Sequence, residues 1–129
     1  MTGYLLDTAI VIRVGGEPER LPLRLRQAIA AGPVWLSVIG YWEVVIKTAK
    51  GRLQVGDPDR WWQQMLADLN ASVLTLNDAH VAAVHRLPPL HQDPFDRALV
   101  AQAVAEDLTL ISQDRALAGY AAAGCRIMA

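Results

Sequence analysis

The feature that most constrains this chain is an alternation of short apolar runs with longer stretches of helical periodicity. Tyr4-Leu5-Leu6, Val34-Trp35-Leu36, Ser72-Val73-Leu74-Thr75-Leu76 and Leu108-Thr109-Leu110-Ile111-Ser112 have the length and composition of strands, and Cys125-Arg126-Ile127-Met128 is a candidate fifth. Between them fall helical patterns: a short one over 9–14 broken by Gly15-Gly16, one over 22–31, and one from Ser37 to about Lys50, stopped by Gly51. A further helix starts at Asp57-Pro58 and ends near Asn70, another follows Asn77 or Asp78 to about Arg86, a long one runs from Asp93-Pro94 to Asp107, and a short one covers 114–120. Strands separated by helices pair in parallel through right-handed crossovers, which places helices on both faces of a sheet of four or five strands. The expected fold is therefore α/β, and the working site of such a sheet lies at the carboxyl ends of its strands.

At 129 residues, with 53% hydrophobic and 19% charged residues, the chain has the size of one domain, 1–129, able to bury a core without staples. The single cysteine, Cys125, sits in an apolar stretch and reads as a buried core thiol. Asp7 interrupts the apolar N-terminus too early for a signal peptide, and no apolar run approaches the ~20 residues of a membrane span, so a soluble, cytoplasmic protein without membrane association is expected. A net charge of −1 gives no bulk attraction for nucleic acid, so any such affinity must come from local arrangement.

Four carboxylates stand out by position. Asp7 ends the first apolar run, Glu43 lies inside the helix after the second, Asp96 falls in the first turn of its helix, and Asp114 follows the fourth run. If all four converge at one sheet edge, their mutual repulsion calls for a hard divalent cation with oxygen ligands, Mg²⁺ or in its place Mn²⁺. Such an ion activates water and neutralises charge on a phosphodiester. Asp93, Asp96 and Asp114 are equally suited to capping helices, with Arg97 placed to pair with Asp93; Asp93 in particular reads as a cap. Asp7 and Glu43 are harder to explain this way, because both are surrounded by apolar neighbours. His80, His85 and His91 lack thiol company or paired spacing, which argues against zinc.

The same residues carry a family resemblance. Leu5-Leu6-Asp7-Thr8, Leu36-Ser37 followed by Trp42-Glu43 and Ile46-Lys47, and Gly51-Arg52-Leu53 resemble the front half of VapC-like PIN domains. Leu87-Pro88, His91-Gln92-Asp93-Pro94-Phe95-Asp96-Arg97, Leu99-Val100-Ala101-Gln102-Ala103 and Leu110-Ile111-Ser112-Gln113-Asp114 with Tyr120 follow the back half nearly in register. The resemblance implies a three-layer α/β/α fold and Mg²⁺-dependent cleavage of RNA by metal-activated water. It also implies homodimerisation, and inhibition by a cognate antitoxin as the toxin of a toxin–antitoxin pair. Carried over by position, the metal site falls on Asp7, Glu43, Asp96 and Asp114, with Thr8 and Ser112 as supporting hydroxyls. Gly40 departs from the small hydroxyl residue common there, and Ser112 stands where threonine is more usual.

Lys47, Arg97 and Arg115, with Lys50 and Arg52, are placed to hold RNA phosphates, although Lys50 and Arg52 read better as solvated surface. Trp61 and Trp62, adjacent on one helix, suit one core residue and one interface residue. The rivals are a receiver domain, a dehalogenase-type phosphatase and a catalytically silent binding protein on the same fold. The first needs paired acids after the first strand and a late lysine, and no lysine follows Lys50. The second needs an aspartate where Ala9 stands. The silent binder ranks second to the nuclease.

Overall fold

The computed structural model describes residues 3–129. Its strands are β1 (Tyr4–Leu6), β2 (Val34–Ser37), β3 (Ser72–Leu74), β4 (Thr109–Ile111) and β5 (Ile127–Met128), all parallel in the order β3-β2-β1-β4-β5. The α-helices are α1 (Thr8–Gly16), α2 (Leu23–Ala31), α3 (Val38–Ala49), α4 (Pro58–Asp68), α5 (Asp78–Arg86) and α6 (Pro94–Ala105), with 3₁₀ segments at Pro18–Arg20 and Arg115–Ala123. No helix among the described residues is long and apolar enough to cross a membrane.

The strands are apolar throughout because both faces of the sheet are covered. Alternation sends Leu5 and Leu110 into one core cluster with Leu99, Val100, Leu117 and Tyr120, and sends Leu6 and Ile111 into the other with Ile10, Leu25, Ile29, Trp62 and Met65. Thus α6 and the 115–123 segment cover one face and α1, α2 and α4 the other, giving three layers. Each fully buried leucine contributes about 1.5–3 kcal/mol of transfer free energy. Trp62 enters the core and stacks on Tyr41 at 4.7 Å, while its neighbour Trp61 stays at the edge, as expected of the pair. Cys125 is buried, and burial pushes its thiol up to about 11.

Several boundaries differ from expectation for identifiable reasons. The helix expected to reach Asp107 stops at Ala105, because Asp107 takes a left-handed φ of 56° and the Leu108 amide closes back on the Ala103 carbonyl at 2.9 Å. Asn70, with φ of 47°, ends α4 in the same way. The third strand stops at Leu74 instead of Leu76, since the Thr75 carbonyl accepts from Gln102 Nε2. The helix at 8–16 runs through Gly15 and Gly16, the short helix expected over 114–120 is a 3₁₀ helix that continues to Ala123, and the fifth strand is only Ile127–Met128.

One consequence of the strand order matters for function. The chain adds β2 and β3 on one side of β1, then returns to add β4 and β5 on the other. The crevice where the connections after β1 and β4 diverge is the switch point of the sheet, and Asp7 and Asp114 follow those two strands.

Candidate metal centre

Each of the four acids is delivered by a different element. Asp7 follows β1 and caps α1, its Oδ1 accepting from the Ile10 amide at 2.8 Å, and is 5% exposed. Burial raises its pKa, the hydrogen bonds from Ser112 and the Ile10 amide pull it back, and Asp114 and Glu43 push it up again. Glu43 sits in the second turn of α3 and is 4% exposed. Its Oε2 takes the Lys47 ammonium at 2.6 Å, whereas its Oε1 is buried with no partner. Lys47 is itself raised in pKa, chiefly by that bond.

Asp96 lies in the first turn of α6, where burial first, then Asp93 and Glu43, push its carboxyl up to about 6. Asp114 caps the 115–123 segment through the Ala116 amide at 2.9 Å and is exposed. Its expected role as a helix cap is thus seen, and the capping leaves it facing the cleft. The four acids line one cleft of about 290 Å³ together with Thr8, Lys47, Arg52 and Asp93. A wider groove of about 490 Å³ between α1 and α4 has Asp68 as its one acidic lining residue and no comparable chemistry.

The residues of the cleft fit a hard divalent cation. Acids outnumber cations there, two carboxyls are raised in pKa, and a buried glutamate oxygen lacks any partner; an ion with oxygen ligands relieves all three at once. Among the supporting residues, Ser112 Oγ accepts from the Asp114 amide at 3.1 Å and its nearness lowers the pKa of Asp7, so it bears on both switch-point acids. The Thr8 hydroxyl is buried without a partner, and a Cβ on Gly40 would stand 3.1 Å from it, which explains how a residue lacking a side chain is accommodated at that position. Asp93 is the cap of α6, accepting from the Phe95 amide at 2.9 Å, as expected.

The four expected acids are thus brought together, but two expectations around them are overturned. Arg97 does not face the cleft and does not pair with Asp93. Its guanidinium turns inward, Nη1 donating to the Pro88 carbonyl at 2.9 Å and Tyr120 Oη at 3.1 Å, and Nη2 to the Val84 carbonyl at 3.2 Å. It is a brace for the 87–93 loop. Lys47 is engaged with Glu43, while Lys50, Arg52 and Arg115 are exposed.

The residue that the sequence reading passed over is His91. Its Nε2 lies 3.1 Å from Asp96 Oδ2 and 3.5 Å from Asp114 Oδ2, and one ligand atom from each of the three residues falls within a 4.8 Å group. The informative signal is its place in the loop before α6, two residues ahead of the cap Asp93 and five ahead of Asp96 in the first turn.

Comparison with known proteins then decides the family. The PIN domain family matches residues 4–123. This chain belongs to the PIN-domain family. The PIN domain is 29% identical over 121 residues, 93% of either chain, to Ribonuclease VapC22 of Mycobacterium tuberculosis (strain ATCC 25618 / H37Rv). Its fold matches that of VapBC2 from Rickettsia felis bound to a promoter DNA fragment, with a TM-score of 0.71 at 14% identity over 99% of this chain and 98% of the other. DNA-bound VapBC from Salmonella typhimurium gives a TM-score of 0.71 at 17% identity over the same shares.

Proposed function

We propose that this PIN domain is a Mg²⁺-dependent endoribonuclease and the toxin half of a toxin–antitoxin pair, acting as a single domain over 1–129. The observation that carries the reading is the convergence of Asp7, Glu43, Asp96 and Asp114 on one cleft, with Glu43 Oε1 left without a partner. These four residues hold the ion, for which Mn²⁺ can substitute. A bound divalent cation would neutralise charge on the phosphodiester and lower the pKa of water, supplying hydroxide as the attacking group near neutral pH. The chain's own residues do the rest. Asp7 and Asp114, fixed by Ser112 and by their capping amides, set the donor geometry. Thr8 supplies a hydroxyl at the cleft wall, Lys47 and Arg52 of the same cleft offer charge to the RNA backbone, and the exposed Arg115, next in sequence to Asp114, adds to it. No protein nucleophile is needed.

The partners proposed are RNA as substrate, a second copy of the chain, and a cognate antitoxin. Structural relatives that include DNA-bound VapBC from Salmonella typhimurium and a toxin–antitoxin complex from Klebsiella pneumoniae support the last. The test is cleavage of labelled tRNA and structured RNA by purified protein with Mg²⁺, with EDTA, and with Asp7→Asn. Metal-dependent cutting that disappears in the variant is expected. Wild-type rates in the variant sink the site assignment, and no cutting by folded, antitoxin-free protein favours the silent binder.

A further inference from the structure

His91 lies outside the four-acid set, in a loop, yet it bridges two of the four acids. Its chemical state can be read from its other nitrogen. Nδ1 accepts from the Asp93 amide at 3.2 Å, and an accepting ring nitrogen carries no proton, so the neutral ring holds its hydrogen on Nε2. That nitrogen lies 3.1 Å from Asp96 Oδ2 and 3.5 Å from Asp114 Oδ2, within reach of both carboxylates. While the Asp93 amide holds Nδ1, Nε2 has no lone pair to offer a cation. His91 is therefore a donor to carboxylates and not a ligand alongside them.

The two carboxylates it spans have no other direct tie. Asp96 rides on the first turn of α6, and Asp114 caps the segment after β4. The loop carrying His91 is in turn well seated. Arg97 grips the Pro88 and Val84 carbonyls and Tyr120 Oη, and Leu90 packs so close to Gly119 that a Cβ there would stand 3.0 Å from its Cδ1. Arginine, loop, imidazole and two acids form one chain of contacts from the core to the cleft.

We propose that His91 is a positioning residue of the metal centre: its Nε2–H sets the spacing of the Asp96 and Asp114 carboxylates, so that they meet an incoming ion already placed. This rests on the metal-site reading above. Outer donors to ligating carboxylates of this kind change metal affinity by about 10–100-fold when removed.

The test is Mn²⁺ binding followed by electron paramagnetic resonance on the full chain, for wild type, His91→Ala and His91→Gln, beside thermal melts of each without metal. A long-range ¹H–¹⁵N spectrum of the wild-type imidazoles reads the tautomer directly. Expected are an Nε2–H tautomer for His91, Mn²⁺ binding weakened about 10–100-fold in His91→Ala, and recovery of most of that loss in His91→Gln, whose amide can present an N–H near the same point. Equal or tighter binding by His91→Ala overturns the proposal, since His91 would then merely occupy the cation's place. Equal weakening in both variants, together with equally lowered melting temperatures, also overturns it, as the role would be loop packing. If the wild type binds no Mn²⁺, the metal reading itself fails and takes this inference with it; if the wild type binds and His91→Ala matches it, only the inference fails.

Discussion

Asp96 shows how one residue sets a conflict that function then uses. Its folded-state pKa of about 6 stands above the ordinary 3.8, so the folded protein holds this proton more tightly than the unfolded chain. Without metal, the stability linked to Asp96 is greatest at low pH and falls as pH rises from about 4 to about 6. Asp96→Asn should therefore raise the melting temperature of metal-free protein by a few degrees at pH 7 and leave it nearly unchanged at pH 4, as scanning calorimetry at the two pH values would show. The same proton competes with the ion. Mn²⁺ affinity should decline as pH drops below about 6, approaching tenfold per unit where one proton is displaced, and a pH-independent affinity would contradict this. Arg97 makes the opposite point, a charge whose role is architectural. Its three hydrogen bonds join loop, helix and Tyr120, so Arg97→Ala should destabilise the fold by about 3 kcal/mol in urea titrations, since hydrogen bonds to charged groups contribute about 1.5–3 kcal/mol each. An RNA-contact role would instead weaken substrate binding and leave stability alone.

Among the elements, three helices end by a shared device, two of which, α3 and α6, carry acids of the cleft. In α3, α4 and α6 a left-handed residue follows the cap, and the next amide reaches back five residues. At Gly51 this ending was legible, because glycine adopts a φ of 70° without steric penalty. At Asn70 and Asp107 it was not, and both helices were read too long. Asn70 is exposed, so Asn70→Gly should stabilise the protein by about 0.5–1 kcal/mol, measured as a higher urea midpoint; a loss of stability would show that the asparagine side chain has a role of its own. The starts of helices were easier to read. Ser37, Asp57, Asn77, Asp93 and Asp114 accept an amide hydrogen bond two residues on, or three for Asn77, as local sequence led one to expect, and Asp7 caps α1 in the same way although its apolar surroundings did not suggest it. Strand β3 was read two residues too long because its limit is set by Gln102, whose side chain comes from a helix 27 residues away in sequence from the Thr75 carbonyl it takes.

For the molecule as a whole, the fold gathers the acids into one cleft, where a bound cation would offset their mutual repulsion. Binding to the native state alone stabilises it by mass action, about 2.7 kcal/mol at a ligand concentration one hundred times Kd. Mg²⁺ at that excess should raise the melting temperature of the wild type and not of Asp7→Asn, while equal shifts in both would place the ion elsewhere. The sequence by itself determined what depends on neighbours along the chain: the apolar runs that demand a sheet covered on both faces, the caps, and four acids beside apolar segments. Those acids were legible because a carboxylate next to a buried strand or inside an apolar helix is costly unless it has a partner. Only the tertiary structure decided that Arg97 turns inward and that His91 joins Asp96 to Asp114. Their directions are fixed by groups remote in sequence, Tyr120 lying 23 residues beyond Arg97 and Asp114 reached only after β4 has returned to the sheet. A side chain on a loop points where the packed core supplies its partner, and no local pattern encodes that choice.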